Sequence, residues 1–175
     1  MDRCPDRVFD QRCLLLTAEE IRISIPRQTL TVQMSDGSIC QYPVSTASNG
    51  PGEANGSGCT PRGRHYVRAR IGAGQPRGSV FVGRRPTGEI YSSQLAAEHP
   101  SRDWILTRIL WLCGRESGVN RGGNVDSMRR YIYIHGTPDT EPMGVPASHG
   151  CVRMRNDDLL ALFDHIRVGT PVFIE

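Results

Sequence analysis

The chain has 175 residues, a formal net charge of +3 and 38% hydrophobic residues, which suits one ordinary domain with its own core. All 21 basic residues are arginine, so a Schiff-base lysine, a Ser-Lys dyad and a phosphate-binding loop lysine are excluded. No apolar run approaches the about 18 residues that span a bilayer, and the arginines are mixed with acidic residues, so no membrane span and no nucleic-acid partner is expected.

Residues 1–19 lack periodicity and read as an N-terminal extension ahead of a single domain over residues 20–175; Thr17, with Glu20 three residues on, suggests a short helix start. Asp2, Asp6 and Asp10 precede a short apolar stretch, Cys13 to Ala18, which is not an export signal. The expected location is therefore cytoplasmic, or periplasmic if a native signal precedes Met1. Ile21, Ile23 and Ile25, then Leu30, Val32 and Met34, alternate with polar residues and predict two strands. Asp36-Gly37 predicts a hairpin turn into a third strand, Ile39 to Val44.

Residues 47–64 are rich in Gly, Asn, Ser and Pro and predict a loop. Short strands follow at Tyr66 to Ile71 and Ser79 to Gly83. Trp104 to Leu112 reads as a buried strand, Gly114 to Asn124 as a loop, and Arg130 to Ile134 as a strand that delivers His135 at its end. One helix is expected after residue 155, with Asn156 as its N-cap, Asp157 and Asp158 in its first turn, and Leu159, Leu162, Phe163 and Ile166 as its apolar stripe. Gly169 ends it, and Pro171 to Ile174 is a last strand. The sum is mainly β: a sandwich or open barrel of six to eight strands with one or two helices packed on it.

The six cysteines have no CxxC pair or zinc-ribbon spacing, and in a cytoplasmic chain they are expected to be reduced. The doublets Arg84-Arg85 and Arg129-Arg130 read as solvated charge, Tyr131 and Tyr133 as packing residues, and Trp104 and Trp111 as core or pocket-lid residues. Cys151 stands apart. It lies in Ser148-His149-Gly150-Cys151-Val152-Arg153-Met154, thirteen residues after His135-Gly136-Thr137. A thiol becomes a good nucleophile when a neighbour lowers its pKa or takes its proton, and a strand-end histidine facing a cysteine just before a helix does both. Gly150 admits a close-lying substrate, and the consecutive amides of His149, Gly150 and Cys151 suit a developing oxyanion.

These motifs resemble the L,D-transpeptidase catalytic domain family of the YkuD type, which carries His-Gly and then Ser/Thr-His-Gly-Cys. Gln28-Thr29-Leu30, Tyr42-Pro43-Val44-Ser45-Thr46, Thr60-Pro61-Arg62-Gly63 and Gly169-Thr170-Pro171-Val172 match further landmarks in the same order, so the resemblance covers about residues 20–175. The resemblance implies a mostly β fold, Cys151 as nucleophile, His135 as general base and the Gly136 carbonyl as the group that orients the imidazole. It also implies peptidoglycan stem peptides or soluble muropeptides as substrates, β-lactams, carbapenems in particular, as covalent inhibitors, and no cofactor or metal. His149 and Gly150 are candidates for oxyanion or substrate binding, and Ser148 for support of the loop.

Arg153 departs from the family's frequent Asn at that position and is a candidate clamp for a substrate carboxylate. Without an export signal, the expected reaction is release of terminal D-Ala from recycled tetrapeptides, an L,D-carboxypeptidase; periplasmic 3→3 cross-linking is the alternative. A zinc hydrolase built on His135, His149 and Cys151, and a non-enzymatic wall-peptide binder, are the readings from other classes.

Overall fold

Alternation of apolar and polar residues turns the N-terminal third into a meander, in a computed structural model that describes residues 16–175. Strands β1 (Ala18–Ser24), β2 (Thr29–Met34) and β3 (Ile39–Ser45) bury Ile21, Ile23, Leu30, Val32 and Val44 and point Arg22, Gln33 and Gln41 to solvent. The hairpin turn forms where expected: Gly37 sits at φ 85°, and the Asp36 carboxylate accepts from the Ser38 amide at 2.9 Å. The chain continues through β4 (Gly63–Ile71), β5 (Ser79–Val82), β6 (Arg85–Ile90), α1 (Ser93–Glu98) and β7 (Ile105–Gly114). It ends with β8 (Tyr133–Gly136), β9 (Val152–Met154), α2 (Asn156–Phe163) and β10 (Pro171–Ile174).

The ten strands found among the described residues form one sheet, in the order β4-β10-β1-β2-β3-β9-β8-β7-β5-β6. A further β4–β7 pairing, from His65 opposite Gly114 to Ile71 opposite Ile109, closes eight of them into a barrel and leaves the β5–β6 hairpin attached outside β7. The expectation of a mainly β sandwich or open barrel is met, and the barrel is closed. Val67, Leu110, Leu112, Ile134, Val152 and Met154 fill the interior with the β1–β3 residues, and α2 adds Leu159, Leu162 and Phe163.

Four local expectations are corrected. Thr17 leads into β1, not a helix, because Ala18, Ile21 and Ile23 present a period-two buried face. Asn156 is the first helical residue, with Arg155 at the cap position and no side-chain cap, because the Asn156 amide is drawn back toward β8. The strand leading to His135 begins at Tyr133; Arg130 and Tyr131 lie in a turn, with Tyr131 at φ 57°. Cys40 is disulfide-bonded, whereas Cys59, Cys113 and Cys151 are free. Residues 1–15 of the expected N-terminal extension lie outside the described residues.

The register that builds the site is the parallel pairing of β8 and β9, which sets Ile134 against Val152, His135 against Arg153 and Gly136 against Met154. Ile134, Val152 and Met154 belong to the barrel core. Strict alternation therefore sends Tyr133, His135 and Arg153, with Cys151 just before β9, to the outer face.

Candidate active site

His135 is 1% exposed, and its Nδ1 lies 2.8 Å from the Gly136 carbonyl oxygen. A carbonyl only accepts, so this contact places the proton on Nδ1 and leaves Nε2 as the basic nitrogen. The Gly136 backbone is held from behind. β7 bulges between Leu106 and Ile109, where Thr107 takes φ 69°, an uncommon conformation for a β-branched residue. The Thr107 hydroxyl donates to Asn156 Oδ1 at 2.5 Å and accepts from the Gly78 amide at 2.9 Å, while Asn156 Nδ2 donates to the Thr137 carbonyl at 2.8 Å.

A Cβ on Gly136 would overlap Asn156 Oδ1 and stand 2.7 Å from the Leu106 carbonyl oxygen. Gly136→Ala is therefore expected to cost about 1–3 kcal/mol through overpacking. It should also slow turnover by shifting the carbonyl that orients His135. A urea midpoint equal to that of the parent would show that the bulge yields freely.

Cys151 is half-buried beside Tyr133. Its Sγ donates to the Tyr131 carbonyl and accepts from the Tyr133 amide, each at 3.4 Å. The loop before it is braced at several points. Ser148 Oγ donates to the Cys151 carbonyl at 2.5 Å and accepts from the Gly150 amide at 3.3 Å, and Thr60 Oγ1 donates to the Gly150 carbonyl at 2.9 Å. Gly150 has φ 137°, a conformation that side chains rarely adopt.

The Gly-rich segment expected to be a loop is packed against this one. The Ser48 amide donates to the Ser148 carbonyl at 2.9 Å, and Arg130 donates to the carbonyls of Gly52 (3.1 Å), Glu53 (2.8 Å) and Cys59 (2.6 Å). Arg130 thus cross-links two loops. Arg84 stacks over the rings of Trp111 (4.6 Å) and Tyr131 (4.8 Å), so each doublet has one member that does more than carry solvated charge.

Burial pushes the Cys151 thiol up to about 12, against the opposing pull of the Tyr133 amide, Arg153 and Arg130. Burial also holds His135 below the ordinary histidine range. Both shifts favour neutral forms, so the resting pair is a thiol and a free imidazole, not an ion pair. The β8–β9 register puts the imidazole and the thiol on the same face.

Arg153 is 7% exposed and its donors are engaged: Asp103 at 2.9 Å, Glu141 at 3.2 Å and the Ala147 carbonyl at 3.1 Å. These three charged residues line a cavity of about 260 Å³ with Trp104, Thr137 and His149. His149 is exposed and lies 3.7 Å from Asp103. Arg102 lines it too, so two carboxylates face two guanidiniums and the cavity presents both signs of charge. Asp103 and Glu141 were invisible to sequence reading because their partner, Arg153, lies 50 and 12 residues away. Among the described residues no group of three His, Cys, Asp or Glu side chains is gathered to hold a metal ion.

Residues 18–174 match the family model described as the L,D-transpeptidase catalytic domain. A stretch of 45 residues is 51% identical to the probable L,D-transpeptidase ErfK/SrfK of Salmonella typhimurium, covering 26% of this chain and 15% of that protein. The fold resembles L,D-transpeptidase 3 from Mycobacterium tuberculosis, with a TM-score of 0.55 at 18% identity over 90% of this chain and 61% of that one. It also resembles the L,D-transpeptidase LdtMt1 solved in complex with imipenem, with a TM-score of 0.51 at 18% identity over 90% of this chain and 59% of that one. The chain thus spans about three fifths of these solved relatives.

Proposed function

The chain belongs to the L,D-transpeptidase catalytic domain family, a family of cysteine enzymes, and from that premise we propose that it transfers the acyl group of a peptidoglycan stem peptide through Cys151. The observation that carries this reading is the shared outer face of His135 and Cys151, beside a cavity lined by charges of both signs. The Cys151 sulfur attacks the carbonyl between the diamino acid and terminal D-Ala while its proton passes to His135 Nε2. The negative charge gathers on the carbonyl oxygen, for which the amides of His149 and Cys151 are the donors; the Gly150 amide is turned to Ser148. As the tetrahedral adduct collapses, the C–N bond breaks and His135 returns the proton to the departing D-Ala amine. A thioester remains.

The second half-reaction needs an acceptor. The charges of Asp103 and Glu141 are balanced by Arg102 and Arg153 at the cavity, so both an amine and water can be received there; an amine from a second stem peptide gives a 3→3 cross-link. The acceptor amine loses its proton to His135, forms the amide, and Cys151 leaves. Where no acceptor is bound, water takes its place and the same enzyme acts as an L,D-carboxypeptidase.

Mass spectrometry of products separates the acceptors. Disaccharide-tetrapeptide alone should yield tripeptide and free D-Ala, and added diamino acid stem acceptor should divert product into dimer in proportion to its concentration. Tripeptide at all acceptor concentrations would make hydrolysis, as in recycling of soluble muropeptides, the reaction of this chain.

A further inference from the structure

On the side of Cys151 away from the cavity lined by Asp103 and Arg153, the outer face of the barrel carries arginines and aromatic rings in alternation. Arg84 lies over Trp111 and Tyr131 and donates to the Tyr133 hydroxyl at 3.1 Å. Arg68, at the bulge of β4, lies 5.6 Å from the Trp111 ring, and Arg115 lies 5.1 Å from that of Tyr66. The register then sets Arg22 opposite Phe173 and Phe173 opposite Arg64, and the Arg115 amide donates to the Arg64 carbonyl. Arg22, Arg64 and Arg115 line a depression of about 380 Å³.

The acidic groups here are two: Glu20, paired with Arg22 at 2.8 Å, and Glu116, which accepts from the Arg64 amide at 2.5 Å. Arg64, Arg68 and Arg115 are exposed and have no ion-pair partner among the described residues. A guanidinium stacked on a ring offers its face to the ring and keeps its in-plane N–H groups for a carboxylate.

We propose that this stripe docks a peptidoglycan strand as a polymer, its arginines engaging the carboxylates of stem peptides beyond the one bound at Cys151. The inference rests on the stem-peptide reading above and extends it from the reacting stem to the strand that carries it. Charge complementarity selects a polycarboxylate. Reach selects a polymer. Arg64 lies three strands and about four residue positions from Cys151, roughly 20 Å over the sheet. A fully extended tetrapeptide spans at most about 14 Å, so the reacting stem alone cannot touch both.

Binding is separated from turnover by working in Cys151→Ala, with co-sedimentation on purified sacculi stripped of attached protein and phosphate polymers. Arg64→Gln/Arg68→Gln/Arg115→Gln should weaken the apparent affinity about tenfold or more, through loss of three charge-assisted contacts, and flatten its dependence on salt. In the otherwise unaltered enzyme the same triple change should leave turnover of soluble disaccharide-tetrapeptide unchanged and slow release of D-Ala from sacculi. Arg115→Glu alone should weaken sedimentation in the same direction, which keeps the test intact if the triple variant is unstable. Undiminished sedimentation of both variants overturns the proposal. So does complete displacement of sacculi by polyphosphate at equal charge, which would mark a phosphate polymer as the partner. Sacculus binding that follows the arginines while wild type fails to release D-Ala would count against the catalytic reading and support the docking surface.

Discussion

Cys151→Ala is expected to abolish turnover of tetrapeptide while leaving the melting temperature close to that of the parent, because the thiol is half-buried and its two hydrogen bonds are long contacts to backbone. Cys151→Ser should not rescue it: a hydroxyl is a far weaker nucleophile than a thiol near neutral pH, and His135 cannot close that gap. The same pair of proteins gives a chemical readout. A carbapenem acylates a thiolate by ring opening, with no atom lost, so intact mass should rise by the whole inhibitor mass on wild type and not on Cys151→Ala. Cys59 and Cys113 are free in both proteins and serve as the internal control. Retention of more than a trace of activity in Cys151→Ala would remove the nucleophile assignment.

His135→Ala should reduce kcat/KM by about a hundred- to ten-thousand-fold, the range of general acid–base help. The pH profile distinguishes the base from a merely structural histidine. Burial holds the His135 pKa below its ordinary value of 6.5, so the neutral, proton-accepting imidazole persists as pH falls toward and below that value. The acid limb of kcat/KM should therefore have its midpoint below 6.5. Because the thiol is pushed up to about 12, no separate gain from free thiolate should appear between neutrality and pH 9 or so. An acid limb centred above neutrality would point to a preformed thiolate–imidazolium pair instead.

Much of this was legible in the residues. Period-two runs located β1 and β2, the Asp36-Gly37 turn located β3, apolar content located the core of β7, and the His135-Gly136 and Ser148–Cys151 motifs located two side chains that share one face, because these signals are local. The parts that escaped are those with no local pattern. β6 carries Pro86 and Gly88 and exposes most of its side chains, so nothing in it alternates. β9 is three residues long and owes its strand geometry to β3 and β8 on either side. Barrel closure depends on β4 meeting β7, some forty residues later in the chain. Asn156 shows the limit of local chemistry. It has the composition of a helix cap, yet its side chain spans to Thr107 and Thr137.

The first and last strands lie side by side: β1 pairs in parallel with β10, Ile21 opposite Val172. During synthesis β1 therefore waits for β10 before this neighbour exists, and the eight-strand closure cannot precede the making of β10. The Thr107–Asn156 contact, 49 residues apart, is another late arrival. Long-range pairing of this kind slows folding and leaves partly folded chains without an assembled reaction centre. In a nascent chain Cys151 is therefore an ordinary thiol, and the burial that shifts it exists only once the barrel has closed around the site.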